Sequence, residues 1–174
     1  MHNKIKTLGN YAFQACSFTS ISLSNNLTSI GNYCLGMNSN LSDITIPNSV
    51  KTIGSGAFEY CRKLSSISIP SSIRTINQST FANTGLISIT IPSSVTTIES
   101  NAFQNCPNLT SVTVEGINIT INDSAFKNCT KLSNLDVSKL SSNYFNYIGK
   151  EAFKNTSIQN LYLPGNASIR EKAF

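Results

Sequence analysis

The side chains suited to chemistry are few and thinly spread. The chain has 174 residues, with five cysteines, one histidine and eight carboxylates. The histidine is His2, and no Cys-x-x-Cys pair occurs, so the ligand spacing of a zinc site is missing. There is no G-x-S-x-G, no phosphate-binding loop and no H-E-x-x-H. These absences argue against an enzyme and against a metal or other cofactor. Four of the cysteines, Cys16, Cys61, Cys106 and Cys129, keep a common phase, while Cys34 lies outside it. Only Cys106 and Cys129 fall in successive repeats; residues two repeats apart would lie about 10 Å apart, beyond disulfide reach. Asn38, Thr84 and Thr156 occupy the same phase elsewhere, so the position does not demand a thiol. A small buried residue is the expected role.

Composition narrows the classes further. Apolar residues make up 40% and charged residues 12%, about half the usual charged share. Net charge is +5, with +2 in residues 1–115 and +3 in residues 116–174. A nucleic-acid binder concentrates its cations in a patch or stripe, so no nucleic-acid partner is expected. The opening "MHNKIKTLGN" has no apolar core of a signal peptide, and no run of about 18 apolar residues exists. Direct membrane insertion is therefore not expected, and a cytoplasmic location stays open.

The organisation that must position these residues is a repeat. "SSISIPSSIRTI" at 65–76 returns as "ISITIPSSVTTI" at 87–98. A bulky anchor recurs at Phe13, Leu35, Phe58, Phe81, Phe103, Phe126, Phe153 and Phe174, at intervals of 22, 23, 23, 22, 23, 27 and 21 residues. These anchors define coils 1 to 8. Five residues before each stands an aliphatic: Leu8, Ile30, Ile53, Ile76, Ile98, Ile121, Ile148 and Ile169. After each of the first seven comes an alternating apolar pair, as in Ile44/Ile46, Ile89/Ile91 and Val112/Val114. Alternation of β-branched residues predicts a strand. Proline follows at once in four coils, at Pro47, Pro70, Pro92 and Pro164, and ends the ladder because it has no N–H.

One coil cannot bury its apolar side alone, whereas stacked coils can. The expected fold is an α/β repeat solenoid of 22–23-residue repeats. Its concave face is a parallel β-sheet of about seven short strands, with short helical turns or irregular backbone beside the anchors. The whole chain reads as a single domain, 1–174, with four extra residues near 138–147. It starts and stops inside a coil. Open ends expose strand edges, so end-to-end self-association is a possible consequence.

The spacing L-x-x-I-x-I-P followed by V-x-x-I-x-x-x-A-F-x-x-C, seen in "LSSISIPSSIRTI", "LTSVTVEG" and "IGSGAFEYC", resembles the BspA-type leucine-rich repeats. The resemblance covers the chain, with departures at Ser138, where the proline is missing, and at Leu35. It implies a leucine-rich-repeat horseshoe. It also implies a surface or secreted protein of bacteria or protists that adheres to host matrix or cell-surface proteins.

Candidate contacts are the outward strand positions: Asp43 and Thr45, Ser66 and Ser68, Ser88 and Thr90, Ser111 and Thr113, Asn134 and Asp136, Asn160 and Tyr162. Small hydroxyls dominate and aromatic anchors are scarce, so each site would be weak unless copies act together. Asp136 and Tyr162 are the best anchors on this face. The insertion adds Tyr144 and Tyr147, flanking Phe145, whose phase predicts a core position. A non-enzymatic protein-binding module is the expected function. An intracellular scaffold is the alternative. An ice-binding solenoid is a remote third, because a curved, mixed Ser/Thr/Asn/Asp row matches a planar lattice poorly.

Overall fold

The structure is a computed structural model that describes residues 4–144 and 146–174. The expected core position of Phe145 lies outside the described residues. The sheet expected beneath the outward row is present in coils 1, 2, 4, 5 and 6. Strands β2 (Ser20–Ile21) and β4 (Asp43–Ile44) pair in parallel. So do β7 (Ser88–Ile91), β9 (Ser111–Val114) and β11 (Asn134–Asp136), in the order β11-β9-β7. Ile89 faces Val112, and Val112 faces Leu135, so like residues stack rung on rung.

Two of the seven expected strands do not join this ladder. Segments 66–69 and 160–163 carry no strand pairing. Ile67, Leu161 and Leu163 are only half-buried there, unlike Ile89 and Val112.

A second ladder runs through every coil five and six residues before the anchor. One part pairs β1 (Thr7–Leu8), β3 (Ser29–Ile30) and β5 (Thr52–Ile53). The other pairs β6 (Thr75–Ile76), β8 (Thr97–Ile98), β10 (Thr120–Ile121), β12 (Tyr147–Ile148) and β13 (Ser168–Ile169). Between coils 3 and 4 the ladder is interrupted, and the Asn77 side-chain amide donates to the Ile53 carbonyl at 2.7 Å. Buried polar backbone needs a partner, and here a side chain provides it.

No helix occurs among the described residues, which form a parallel β-solenoid of about seven turns, so the helical part of the expected α/β solenoid is not seen there. The reason lies in the backbone around each anchor. The residue two before it has positive φ in all eight coils, from Tyr11 and Tyr33 through Gly56 to Lys172. The residue two after it has positive φ in seven, from Ala15 to Asn155. An α-helix needs an unbroken right-handed run, and single left-handed residues interrupt it. The segment is a string of tight turns, with Gly36 N–H donating to Tyr33 O and Gln104 N–H to Asn101 O. Alternate N–H groups reach the next coil, as Phe13 to Cys34 O at 2.8 Å and Phe103 to Ala125 O at 2.8 Å.

The anchors fill the interior. Phe58, Phe81, Phe103, Phe126 and Phe153 are fully buried or nearly so, and their rings stack face to face at 4.9–5.5 Å between centroids. Burial of each such side chain contributes about 1.5–3 kcal/mol. Leu35 interrupts this stack. Beyond it, Phe13 turns edge-on to Phe18 at 5.8 Å, and both are only partly buried.

Candidate protein-binding surface

The outward residues of the first ladder form registered rows. Ser88, Ser111 and Asn134 align, as do Thr90, Thr113 and Asp136. Asn134 donates its amide to Ser111 Oγ at 3.1 Å. All twelve candidates on this face are exposed or half-buried, and Tyr162 is 90% exposed.

The face is not uniform. Ser66, Ser68, Ser88 and Thr90 surround a shallow depression of about 370 Å³ with Pro92 and Glu115. Asp43 and Thr45 border another, of about 300 Å³, with Ser20, Ser22, Asn25 and Pro47. Glu115 was missed at the sequence level. Its signal was position: it occupies the place that proline holds in coils 2, 3 and 4. Asp136 is less free than its sequence suggests. The Ser138 N–H donates to its carboxylate at 3.0 Å, and that bond first, the Ser138 hydroxyl second, holds its pKa below the usual range.

The tyrosines of the long coil separate. Tyr144 is exposed. Tyr147 sits in β12 on the second ladder, paired with Thr120 and Ser168, with the Arg170 guanidinium 5.7 Å from its ring centroid. It borders a depression with Asp123, Lys150, Ile169, Arg170 and Glu171, so it does not extend the row of Asp136. The insertion itself is fastened from inside. Buried Asn146 donates to Ser141 O and Tyr144 O, and its Oδ1 accepts from Ile119 N–H at 3.0 Å.

The phase of the cysteines acquires a definite role. Cys61 Sγ donates to Leu35 O, Cys106 Sγ to Phe81 O and Cys129 Sγ to Phe103 O, at 3.1–3.3 Å. Each bond satisfies the carbonyl of the preceding coil's anchor. Asn38 donates to Phe13 O at 2.7 Å, and Thr84 to its own anchor, Phe81 O, at 2.8 Å. What this position selects is a short buried donor, which explains why thiol, amide and hydroxyl interchange. Burial pushes the Cys61 thiol up to about 12, so it keeps its proton and stays a donor. The Cys129 thiol is also pushed up, first by its bond with Cys106 and then by burial. Cys16 departs from the expected buried role: it lies in coil 1, where the core is thin, and is exposed. All five cysteines are unpaired.

Among the described residues no three His, Cys, Asp or Glu side chains come together to hold a metal ion. No helix is long and apolar enough to cross a membrane.

Coil length, anchor phase and rung-on-rung stacking together define a leucine-rich-repeat solenoid. The family model for the BspA type leucine rich repeat region matches residues 1–110 and 51–174, in six copies. The chain belongs to that family. Its fold matches a leucine rich repeat protein of T. pallidum with a TM-score of 0.77 and 27% identity, covering 87% of this chain and 70% of that one. A leucine-rich repeat protein of Bacteroides ovatus matches with a TM-score of 0.70 and 27% identity, over 95% of this chain and 49% of that one. A leucine rich cell surface protein of Faecalibacterium prausnitzii matches with a TM-score of 0.61 and 31% identity, over 68% of this chain and 32% of that one. The chain thus spans about half of the second protein and a third of the third. No curated protein matches it.

Proposed function

We propose that this chain is a non-enzymatic protein-binding module that works at a cell surface and contacts its partner through the outward face of the first ladder. The observation that carries the reading is the pair of registered, exposed or half-buried rows ending at Asp136, with the exposed Tyr162 beyond them. Leucine-rich repeats commonly bind proteins, and the F. prausnitzii neighbour is a cell surface protein. A host matrix or cell-surface protein is the partner this supports. Small hydroxyls contribute little each, so affinity comes from Tyr162 as an anchor and from many copies acting together. The test is binding of the purified chain to immobilised matrix proteins, wild type against Asp136→Ala/Tyr162→Ala. The double variant should bind more weakly at an unchanged melting temperature. Unchanged binding would remove this end of the face from the reading.

The unpaired cysteines favour a second reading, an intracellular scaffold, because thiols persist in reducing compartments. Labelling of intact source cells with a membrane-impermeant reagent separates the two. Labelling before lysis supports the surface module. Labelling only after lysis supports the scaffold.

A further inference from the structure

Coil 4 is shorter than its neighbours on one side. Six residues separate Phe58 from Leu64 and Phe103 from Leu109, but five separate Phe81 from Leu86. Where coil 3 places Arg62 and Lys63, and coil 5 places Pro107 and Asn108, coil 4 has only Gly85. A Cβ on Gly85 would stand 2.2 Å from the Arg62 carbonyl oxygen, so the short path is open to glycine alone. The missing residue leaves a notch of about 250 Å³ across coils 3 to 5, walled by Arg62, Pro107 and Asn108, with Asn83, Thr84 and Asn105 along it.

Arg62 also borders a second, wider hollow of about 500 Å³, with Met37, Ser39 and Tyr60. Its guanidinium lies 5.8 Å from the Tyr60 ring centroid. One cation thus divides an apolar hollow from an amide-lined notch. Met37 is 52% exposed and holds a positive φ of 62°, a conformation that suits asparagine or glycine better than methionine.

The residues that line the two hollows include Arg62 and no carboxylate. Lys127, Lys150 and Lys154 are paired with carboxylates, whereas Arg62 forms no ion pair among the described residues. The Asn83 side chain makes no hydrogen bond there, and Asn105 uses only its Oδ1, as acceptor from Asn128. Two amides and a guanidinium therefore offer donors without competing acceptors. Arg, Tyr and Met are also the residues enriched where proteins bind.

We infer that this trough, away from the first ladder, docks an extended acidic segment of a partner protein. Its apolar side chain occupies the Met37–Tyr60 hollow, and a carboxylate close by in its sequence meets Arg62, Asn83 and Asn105. Coils 2 to 5 span three coil steps, about 14 Å, which is the length of about four extended residues. A carboxylate with an arginine and amide donors forms the stronger, charge-assisted class of hydrogen bond.

The test uses the isotope-labelled chain and two acetylated, amidated peptides, Gly-Ser-Leu-Asp-Glu-Ser-Gly and its neutral counterpart Gly-Ser-Leu-Asn-Gln-Ser-Gly. The acidic peptide should shift the amide signals of residues 37, 39, 60, 62, 83–85 and 105. It should bind at least about tenfold more tightly than the neutral one. Arg62→Gln should erase that difference, and Met37→Asn, whose side chain suits the left-handed backbone, should weaken both peptides. Asp136→Ala/Tyr162→Ala should leave the titration unchanged, so this inference and the sheet-face reading fail separately. Equal affinity for both peptides, shifts confined to other residues, or an Arg62→Gln variant that binds like wild type would overturn it. So would binding of a heparin hexasaccharide with the same shifts and no response to the acidic peptide.

Discussion

Coils 1–3 and coils 4–7 share one backbone two residues past each anchor, yet they dress it differently. The later coils place Asn83, Asn105, Asn128 and Asn155 there, all at positive φ. Asn128 donates to Asn105 Oδ1 at 2.8 Å and Asn155 to Asn128 Oδ1 at 2.7 Å, a polar ladder along the outside of the turns. The early coils place Ala15, Met37 and Tyr60 in the same conformation. Two residues before the anchor the contrast repeats. Tyr11 and Tyr33 stack at 5.5 Å, and Gly56 leaves room for the Tyr33 ring, which a Cβ would approach to 2.3 Å. In coil 7 that position is Glu151, held by Lys127 at 2.6 Å and Lys154 at 2.8 Å. Left-handed backbone selects asparagine when nothing else constrains the position. Where methionine and tyrosine stand instead, the local preference has been overridden, and those residues line the hollow beside Arg62. Departures from a repeat thus mark surface chemistry more clearly than the repeat does.

The largest effect that bears on this contrast is in the core. Phe103 stacks between Phe81 at 5.3 Å and Phe126 at 4.9 Å. Phe103→Ala should cost about 3–5 kcal/mol in equilibrium urea unfolding. Phe13→Ala, in the thin N-terminal coil, should cost less than half of that. Equal losses would mean that Leu35 does not divide the stack.

Next comes the amide ladder. Asn128→Ala removes two side-chain bonds and places a Cβ residue without compensation at positive φ, for a loss of about 1–2 kcal/mol. Asn128→Gly keeps the conformation and should lose about 1 kcal/mol, the bonds alone. If the two variants melt together, the conformational part of the argument fails.

Imposing the later coils' rule on an early one should do the opposite. Met37→Asn should gain about 0.5 kcal/mol, since asparagine tolerates this backbone and the methionine is half exposed. A loss of stability would show that Met37 packs as well as lines the hollow.

The smallest effect is electrostatic. The bonds from Lys127 and then Lys154 hold the Glu151 carboxyl at about 2, below its ordinary 4.5. A depressed folded pKa contributes stability in full above the unfolded value and loses it as pH falls toward the folded one. Between pH 5 and pH 2 the wild type should therefore lose slightly more thermal stability than Glu151→Gln, and added salt should shrink the gap. Parallel pH profiles would place the ion pairs outside the stability of this end.

Much of the architecture was legible because the apolar phase is linear in sequence. Leu8 to Ile148 fell in the core as their spacing required, and Ile89, Ile91, Val112 and Val114 faced inward. The second ladder was not legible as strands, since two-residue pairs such as Thr52–Ile53 are too short to show alternation. Of the helical turns or irregular backbone expected beside the anchors, the structure takes the irregular form, and the choice between them was not legible for a related reason. Ala-Phe pairs favour no left-handed conformation by themselves, and only the neighbouring coil, which accepts alternate N–H groups, imposes it. Of the candidate contacts, the first-ladder residues were readable from alternation. Glu115 and Arg62 were not, because each matters through what another coil places beside it.

From the sequence alone came the repeat length, most of the inward residues and membership of a stacked repeat class. Periodicity carries these because each depends on positions within a single coil. The tertiary structure decided what passes between coils. It assigned the cysteine phase to bonds with the preceding anchor's carbonyl, joined Asn105, Asn128 and Asn155 at one phase into a ladder, and opened a notch where one coil is a residue short. Hydrogen bonds and hollows of this kind join residues about 22 to 27 positions apart, as Cys129 to Phe103 and Asn155 to Asn128. Their geometry exists only once the coils are stacked, and no local propensity encodes it.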